Sequence, residues 1–277
     1  MDRQIIRKVR GVQTSDGAGV ALTRIIGQPG LPRLDPFLML DEFGSERPDD
    51  YLAGFPPHPH RGFQTVTYML QGKMGHKDSV GNEGVIESGG LQWMNAGSGI
   101  IHEEMPQQTE GLLRGFQLWV NLPASEKMSA PAYQDIPASK VPEFSLQDGI
   151  KVRLLAGNLN QHQGPVTTQA VSPLFLDLQA VTPGNVCIPV ERGHNAFVYC
   201  YQGNVQSGGQ SLSQGELGVL GEGNTLSMSL QADSRLILVA ALPIGEPVVQ
   251  YGPFVMNSQE QINQALQDYQ QGTLVRK

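Results

Sequence analysis

Two short motifs, far apart in the chain, carry residue types that bind transition metals. The first is H-P-H at His58 and His60, and the second is H-E-E at residues 102–104, with His102 and Glu104 two positions apart. Side chains at positions i and i+2 of a β-strand point to the same face. Two neighbouring strands that present these pairs to a common interior would bring together three imidazoles and one carboxylate.

This donor set suits a first-row transition metal. Imidazole and carboxylate ligands fit Fe, Mn, Ni, Cu or Co, are less diagnostic of Zn, and disfavour Mg and Ca, which prefer oxygen ligands. An H-x-H pair alone also occurs in ordinary loops, and the H-x-E at the far end of an intervening hairpin is what favours a metal site. We therefore expect one ion per chain, with His58, His60, His102 and Glu104 as ligands. Four protein ligands leave two octahedral positions open for water, substrate or dioxygen.

The other three histidines are predicted to be ordinary. His76 lies in G-K-M-G-H-K-D, which we interpret as a polar turn region where solvent exposure is expected, and His162 lies in a loop. His194 falls in the second half of the chain, but no further histidine follows it. The second half is therefore predicted to lack a metal site.

Composition and spacing argue against several other functions. Formal net charge is -7, so direct nucleic-acid binding is not expected. The serine of A-G-S-G-I has Ala96 and Ile100 where a nucleophile elbow needs glycines, and no phosphate-binding loop of the G-x4-G-K-S/T type occurs. The N-terminus has no apolar stretch behind its charges, and no run reaches membrane-spanning length. We expect a cytoplasmic protein that does not bind membranes.

The elements that must position the histidines are predicted to be β-strands. With 33 Gly and 19 Pro, the chain breaks into short runs rich in β-branched and aromatic residues, which indicates an all-β sandwich or barrel. One segment differs, because Ile262, Ala265, Leu266 and Tyr269 recur at helical spacing. Asn257 or Ser258 can cap this C-terminal amphipathic helix, Gln261 completes a capping box with Ser258, and Gly272 can end it, which predicts a helix near 258–271.

A short internal repeat predicts two similar domains. T-V-T-Y-M-L-Q-G ends at Gly72 and A-F-V-Y-C-Y-Q-G ends at Gly203, and each is followed by a glycine-rich turn and another strand-like run. A stretch rich in Pro, Ser and Ala separates the two halves. We predict an N-terminal domain at 1–135 that carries the metal site, and a C-terminal domain at 136–277 without metal ligands that ends in the helix.

The chain resembles the pirin family of the cupin superfamily. The resemblance rests on G-F-P-P-H-P-H-R-G-F-Q-T-V-T-Y-M-L-Q-G, L-Q-W-M-N-A-G-S-G-I-I-H-E-E-M-P, L-W-V-N-L-P, E-K-M-S-A-P-A-Y-Q and V-V-Q-Y-G-P-F-V-M-N, and it extends over nearly the whole chain. It implies two jelly-roll-like cupin β-barrels with iron in the first, held by His58, His60, His102 and Glu104. Pirins usually have Glu at Gln64 and Pro-Gly-Asp before Leu91. These departures leave the four ligands unchanged.

Two functions follow from the resemblance. The first is a dioxygenase of the quercetin 2,3-dioxygenase type, with a small aromatic substrate such as a flavonol and O2 at the open metal positions, and with Glu104 taking the substrate proton. Gln64 and Val66 continue the inward phase of His60 and would line its pocket. The alternative is a non-enzymatic iron-binding regulator that binds a transcription factor or a metabolic enzyme as protein partner. In either case we expect a monomer.

Overall fold

Short antiparallel strands make up most of the fold. The computed structural model describes residues 1–166 and 170–275. The strands of the first half are β1 (Ile5–Arg10), β2 (Val12–Asp16), β3 (Val20–Ile26), β4 (Phe37–Ser45), β5 (Phe55–His60), β6 (Phe63–Gln71), β7 (Lys73–Asp78), β8 (Glu83–Glu87), β9 (Leu91–Asn95), β10 (Ile100–Pro106), β11 (Leu113–Asn121) and β12 (Ala132–Ile136). A 3-10 turn lies at Pro48–Asp50 and another at Ala138–Lys140.

The second half contains further strands and one helix. These are β13 (Glu143–Gln147), β14 (Ile150–Ala156), β15 (Asn158–Leu159), β16 (His162–Gln163), β17 (Leu174–Ala180), β18 (Gly184–Pro189), β19 (Asn195–Gln202), β20 (Asn204–Ser207), β21 (Gln210–Ser213), β22 (Glu216–Leu220), β23 (Thr225–Leu230), β24 (Arg235–Ala241), β25 (Val249–Tyr251), β26 (Phe254–Met256) and α1 (Gln259–Gln270). The predicted all-β class with a C-terminal helix is confirmed. None of the described residues forms a helix with the length and apolar character needed to cross a membrane.

The chain divides into two compact units, and each unit collects segments from both halves of the sequence. The N-terminal unit comprises Val12–Gly27, Phe37–Ala138 and Ile244–Lys277, and the C-terminal unit comprises Met1–Gly11, Gln28–Pro36 and Ser139–Pro243.

The two units have the same sheet plan. In the N-terminal unit a seven-stranded sheet runs β12-β9-β6-β11-β4-β3-β2, and a four-stranded sheet runs β5-β10-β7-β8. In the C-terminal unit the corresponding orders are β1-β22-β19-β24-β17-β14-β13 and β18-β23-β20-β21. The two repeat segments lie in β6 and β19, which are third in their sheets. The internal repeat therefore reflects two similar domains.

The division differs from the contiguous domains 1–135 and 136–277 that the sequence predicted. The first residues of the chain belong to the C-terminal unit, and the last residues belong to the N-terminal unit. The first strand, β1, pairs with β22 and fills the edge position that β12 fills beside β9. At the other end, α1 packs against β26, and β26 bridges to Arg61 through Phe254. The first residues thus complete the C-terminal unit, and the helix belongs to the N-terminal unit.

The helix forms as its sequence predicts. Ser258 is the N-cap, its side chain accepts a hydrogen bond from the Gln261 N–H, and the Gln261 side chain accepts from the Ser258 N–H in return. Ile262 and Ala265 are buried, whereas Tyr269 is exposed at the edge of the apolar stripe. The helix therefore packs through a narrower stripe than the four predicted positions.

Candidate metal centre

Three of the four predicted ligands come together inside the N-terminal unit. Strands β5 and β10 are antiparallel neighbours, and His102 lies directly opposite His58. His60 joins them because it is two positions from His58 on the same strand. The ligand nitrogens of the three residues all lie within 4.8 Å of one another, and the ring centroids are 4.5 to 4.8 Å apart. Among the described residues this is the only group of at least three potential metal ligands with such spacing.

The three rings offer free nitrogens for a metal, and two of them are buried. His60 and His102 are each 2% exposed, and no described residue pairs with His60 Nδ1 or with either ring nitrogen of His102. His58 Nδ1 lies 2.8 Å from the Pro56 carbonyl oxygen, which fixes the proton on Nδ1 and leaves Nε2 free. Buried polar atoms without partners are costly, so this cluster fits a bound cation better than it fits a structural core.

Burial also keeps His60 and His102 neutral. Desolvation, followed by the neighbouring imidazoles His102 and His58, lowers the pKa of His60 well below its usual range. Desolvation is likewise the largest cause that lowers the pKa of His102 to about 4, against an opposing effect of Glu104. Metal binding requires the neutral imidazole, so near neutral pH both rings are ready to bind an ion without losing a proton.

Glu104 lies on the same face as His102 but is held by other partners. Its Oε1 accepts a hydrogen bond from Thr67 Oγ1 at 2.9 Å and its Oε2 accepts one from Gln117 Nε2 at 2.7 Å. The register between β10 and β5 shifts between His102 and Glu104, so that Glu104 lies opposite Phe55. The carboxylate is therefore buried beside the trio without joining it, and its role as fourth ligand stays a prediction.

His76 contradicts the sequence interpretation, which expected an exposed turn residue. It lies in β7 opposite Glu104 and is only 3% exposed. Its ring stacks on Tyr133 with centroids 5.6 Å apart, and its Nε2 lies 3.3 Å from Asp135 Oδ1. The signal that could have identified it is the period-2 pattern of Met74, His76 and Asp78, all of which are buried.

A continuous row of polar side chains crosses the seven-stranded sheet at the level of Glu104. The strand registers place each member directly opposite the next in the neighbouring strand. The row consists of Arg24, Asp41, Gln117, Thr67, Gln92 and Asp135. It ends where Gln92 Nε2 donates to Asp135 Oδ1 at 2.9 Å. The hydrogen bonds of Thr67 and Gln117 to Glu104 connect this row to the strand that carries His102.

The expectation that Gln64 and Val66 line the metal pocket is wrong. Phe63 contacts both His60 and Trp119, and Thr67 bonds to Glu104, so the inward residues of β6 are the odd-numbered ones. Gln64 and Val66 therefore lie on the opposite face. The alternation changes phase between His60 and Phe63 because the chain turns at Gly62, which has φ of +86°.

A cavity of about 560 Å³ leads to two of the histidines. His58 and His60 lie at one end, and the walls come from inward residues of β3, β4 and β11, of which Leu22, Phe43 and Trp119 are apolar. Residues of the β2–β3 and β25–β26 hairpins also line the cavity. Of the described residues, Gln117 borders the cavity and Glu104 does not, so Gln117 lies between the cavity and that carboxylate.

Two units of facing antiparallel sheets, one of which encloses a histidine trio, define a two-domain cupin. The pirin family model matches residues 19–120, and the model of the pirin C-terminal cupin domain matches residues 175–275. The chain therefore belongs to the pirin family. The resemblance inferred from its motifs is confirmed.

Similar proteins occur in bacteria and animals. A Pseudomonas aeruginosa protein named "Putative quercetin 2,3-dioxygenase" is 47% identical over 279 residues and covers 98% of both chains. Human pirin is 40% identical, covering 96% of this chain and 92% of its own. The crystal structure of quercetin 2,3-dioxygenase from Acinetobacter baumannii superposes with a TM-score of 0.92 at 32% identity, covering 99% of each chain.

Proposed function

We propose that this protein is a metal-dependent dioxygenase of flavonols such as quercetin, with iron as its metal. The observation that carries the proposal is the trio of imidazoles, two of which line a cavity of about 560 Å³. Two of the similar proteins are named for quercetin 2,3-dioxygenase activity, which supports the same substrate class here.

The trio and the neighbouring carboxylate would hold the ion. His58 through Nε2, together with His60 and His102, supplies three nitrogen ligands, and Glu104, which Thr67 and Gln117 hold in place, supplies the fourth ligand. Iron, with Mn, Ni, Cu, Co and Zn as substitutes, fits this donor set. Such an ion supplies Lewis acidity toward a substrate hydroxyl and redox chemistry with dioxygen.

The surrounding residues bind the substrate and move its proton. Leu22, Phe43 and Trp119 provide apolar walls for a planar aromatic ring and keep water from it. Glu104 Oε2, whose donor is Gln117, accepts the proton of the substrate hydroxyl. Gln117 borders the cavity, and its amide fixes the position of that oxygen.

The regulator is the weaker alternative. A regulator would need a closed or small metal site beside an exposed patch, whereas an enzyme needs a cavity that reaches the metal. The cavity at His58 and His60 favours the enzyme. A cytoplasmic location and a monomeric state stay predictions from the sequence, as does a protein partner.

The test compares the wild type with His102→Ala and a matched control, His194→Ala. His194 lies in the C-terminal unit, 3.4 Å from Glu191 and outside the trio. Bound metal is measured by elemental analysis, and quercetin loss and oxygen uptake are followed after reconstitution with Fe²⁺. We expect about one ion per chain and oxygen consumption for the wild type and His194→Ala, and neither for His102→Ala.

Two results would contradict the proposed function. Metal binding by the wild type without turnover of quercetin would remove the proposed substrate and favour the regulator. Equal metal content in wild type and His102→Ala would refute the metal site itself.

A further inference from the structure

An ion pair lies in the wall of the cavity, beside apolar side chains. Arg24 of β3 and Asp41 of β4 are directly opposite each other, and both border the cavity. Their neighbours on the same faces of the two strands are Leu22, Met39 and Phe43. The Asp41 side chain is 4% exposed and the Arg24 side chain is 25% exposed. A charged pair thus replaces an apolar contact at one position of this wall.

The pair is rigid and leaves one donor group free. Arg24 Nε donates to Asp41 Oδ1 at 3.0 Å and Nη2 donates to Asp41 Oδ2 at 2.8 Å, which is the bidentate arrangement. Nη2 also donates to Asp16 Oδ2 at 2.9 Å. Arg24 Nη1 has no partner among the described residues. Each Asp41 oxygen accepts one bond from Arg24 and keeps a further lone pair.

Stability alone does not account for this pair. Desolvation raises the pKa of Asp41, and the hydrogen bonds from Arg24 oppose that rise. Replacing a buried ion pair with apolar residues of similar volume is often neutral or stabilising, so a charged pair among Leu22 and Phe43 gives the fold no clear gain. A free guanidinium nitrogen and carboxylate lone pairs beside a cavity are, however, what a polar ligand group requires.

The charges around Arg24 and Asp41 indicate which polar ligand group would bind there. Arg24 is the only cation in the wall, and Asp41 and Asp16 give two negative charges against its one. A carboxylate, sulfate or phosphate would meet this excess of negative charge. A neutral hydroxyl, which can donate to Asp41 while accepting from Arg24 Nη1, satisfies both groups.

The pair and the histidines are separated by a distance that a flavonol could span. Trp119 lies 5.5 Å from His60 between ring centroids, and Gln117, two positions along β11, is directly opposite Asp41. Two residues along a strand cover about 7 Å and neighbouring strands are about 5 Å apart, so Asp41 is roughly 9 Å from Trp119 along the wall. Arg24 lies one strand further away.

We propose that Arg24 and Asp41 form a recognition site for a phenolic hydroxyl on the part of the substrate remote from the metal. This inference rests on the proposed flavonol substrate and adds the part of the molecule that is selected. Hydroxylated flavonols are bound in preference to the bare ring system. Acidic conjugates of the same hydroxyl are disfavoured.

The test uses the Zn²⁺-loaded protein, since zinc has no redox chemistry and the ligands are not consumed. Quercetin and 3-hydroxyflavone, which lacks the other hydroxyls, are titrated while quenching of tryptophan fluorescence is recorded. Trp93 and Trp119 both contribute to this signal, and Trp119 borders the cavity. The wild type should bind quercetin at least about tenfold more tightly, the range expected for a hydrogen bond to a charged group. Arg24→Met with Asp41→Leu should lose most of this preference while its affinity for 3-hydroxyflavone changes less than about threefold.

The control replaces an ion pair that does not border the cavity, Lys73→Met with Glu87→Leu. That pair joins β7 and β8 at 2.6 Å, and its loss should leave the preference intact. If the double variant at the cavity does not fold, Asp41→Asn should still reduce the preference. Equal binding of the two flavonols by the wild type, or an equal loss of both in the cavity variant, overturns the inference.

The same protein separates this inference from the proposed function. Preference for quercetin without oxygen consumption by the iron form keeps the recognition site and refutes the dioxygenase. Quercetin turnover without the preference refutes the recognition site alone. Failure of both flavonols to bind overturns both.

Discussion

Replacing Gln117 with leucine should weaken metal binding although Gln117 is not a ligand. Its Nε2 donates to Glu104 Oε2 at 2.7 Å, and its Oε1 accepts from Trp119 Nε1 at 3.1 Å, so the amide orientation is fixed from both sides. Thr67 is the other donor to this carboxylate. Gln117→Leu keeps a similar volume and removes one of the two groups that orient Glu104.

The magnitude follows from the burial of the carboxylate. Glu104 is 2% exposed, so water does not readily replace the lost donor. A hydrogen bond to a charged group contributes about 1.5 to 3 kcal/mol, and each 1.4 kcal/mol corresponds to a factor of ten in affinity. Loss of a partner that orients a metal ligand typically costs about 10- to 100-fold in metal affinity. Both arguments give the same range for Gln117→Leu.

The assay is a competition titration of the metal-free protein with a chelator of known affinity, using Zn²⁺ and Fe²⁺ in turn. Thermal unfolding with and without metal gives a second readout, since a weaker Kd lowers the stabilisation by bound metal at a fixed excess of ion. The matched control is Gln64→Leu. Gln64 is also a buried glutamine, 3% exposed, but it lies on the face of β6 that points away from Glu104.

The reasoning fails if Gln117→Leu binds metal within about threefold of the wild type. That result would mean that Glu104 is not a ligand or that Thr67 alone orients it. A similar loss in Gln64→Leu would refute the reasoning in another way, because it would show that any buried glutamine in this sheet affects the site through general packing.

Two further predictions concern the metal-free fold. Its stability should fall as pH decreases from about 6.5 toward 4, because His102 has its pKa lowered to about 4 when folded and is protonated first in the unfolded chain. The loss in the free energy of unfolding is up to about 3 kcal/mol. In urea unfolding, this free energy should depend less steeply on pH for His102→Asn than for the wild type. An equal dependence on pH would contradict the prediction. Ser258→Ala should cost about 1 kcal/mol by removing the cap at Gln261, and an unchanged urea midpoint would contradict the capping role.

The parts of the structure that the sequence predicted correctly depend on local rules. The pairs His58 and His60, and His102 and Glu104, need only the two-residue period of a strand to share a face. The capping box at Ser258 needs only a spacing of three residues. In each case the pattern is contained within a few neighbouring residues, so no knowledge of strand pairing was required.

The parts that the sequence did not predict depend on pairing or on a change of phase. Gly62 shifts the alternation between β5 and β6, which moved the predicted pocket positions to the wrong face. His76 was missed because the inward face of β7 carries the polar residues His76 and Asp78. The strand therefore lacks the usual alternation of buried apolar and exposed polar residues. The polar row from Arg24 to Asp135 appears only when five strand registers are known.

A comparison of the two units shows where the fold accommodates its chemistry. In the C-terminal unit, one apolar cluster fills the space between the sheets, with Leu176, Leu178 and Leu238 on the seven-stranded sheet and Ile188 on the four-stranded sheet. In the N-terminal unit, the apolar cluster around Leu22, Phe43, Met69 and Met74 occupies only part of that space, and the polar row and histidines occupy the rest. Buried polar groups cost free energy unless they are bonded. Three of the buried side-chain atoms without a partner among the described residues are ring nitrogens of His60 and His102. A bound ion would return that cost there, so metal binding and the stability of this unit should be coupled.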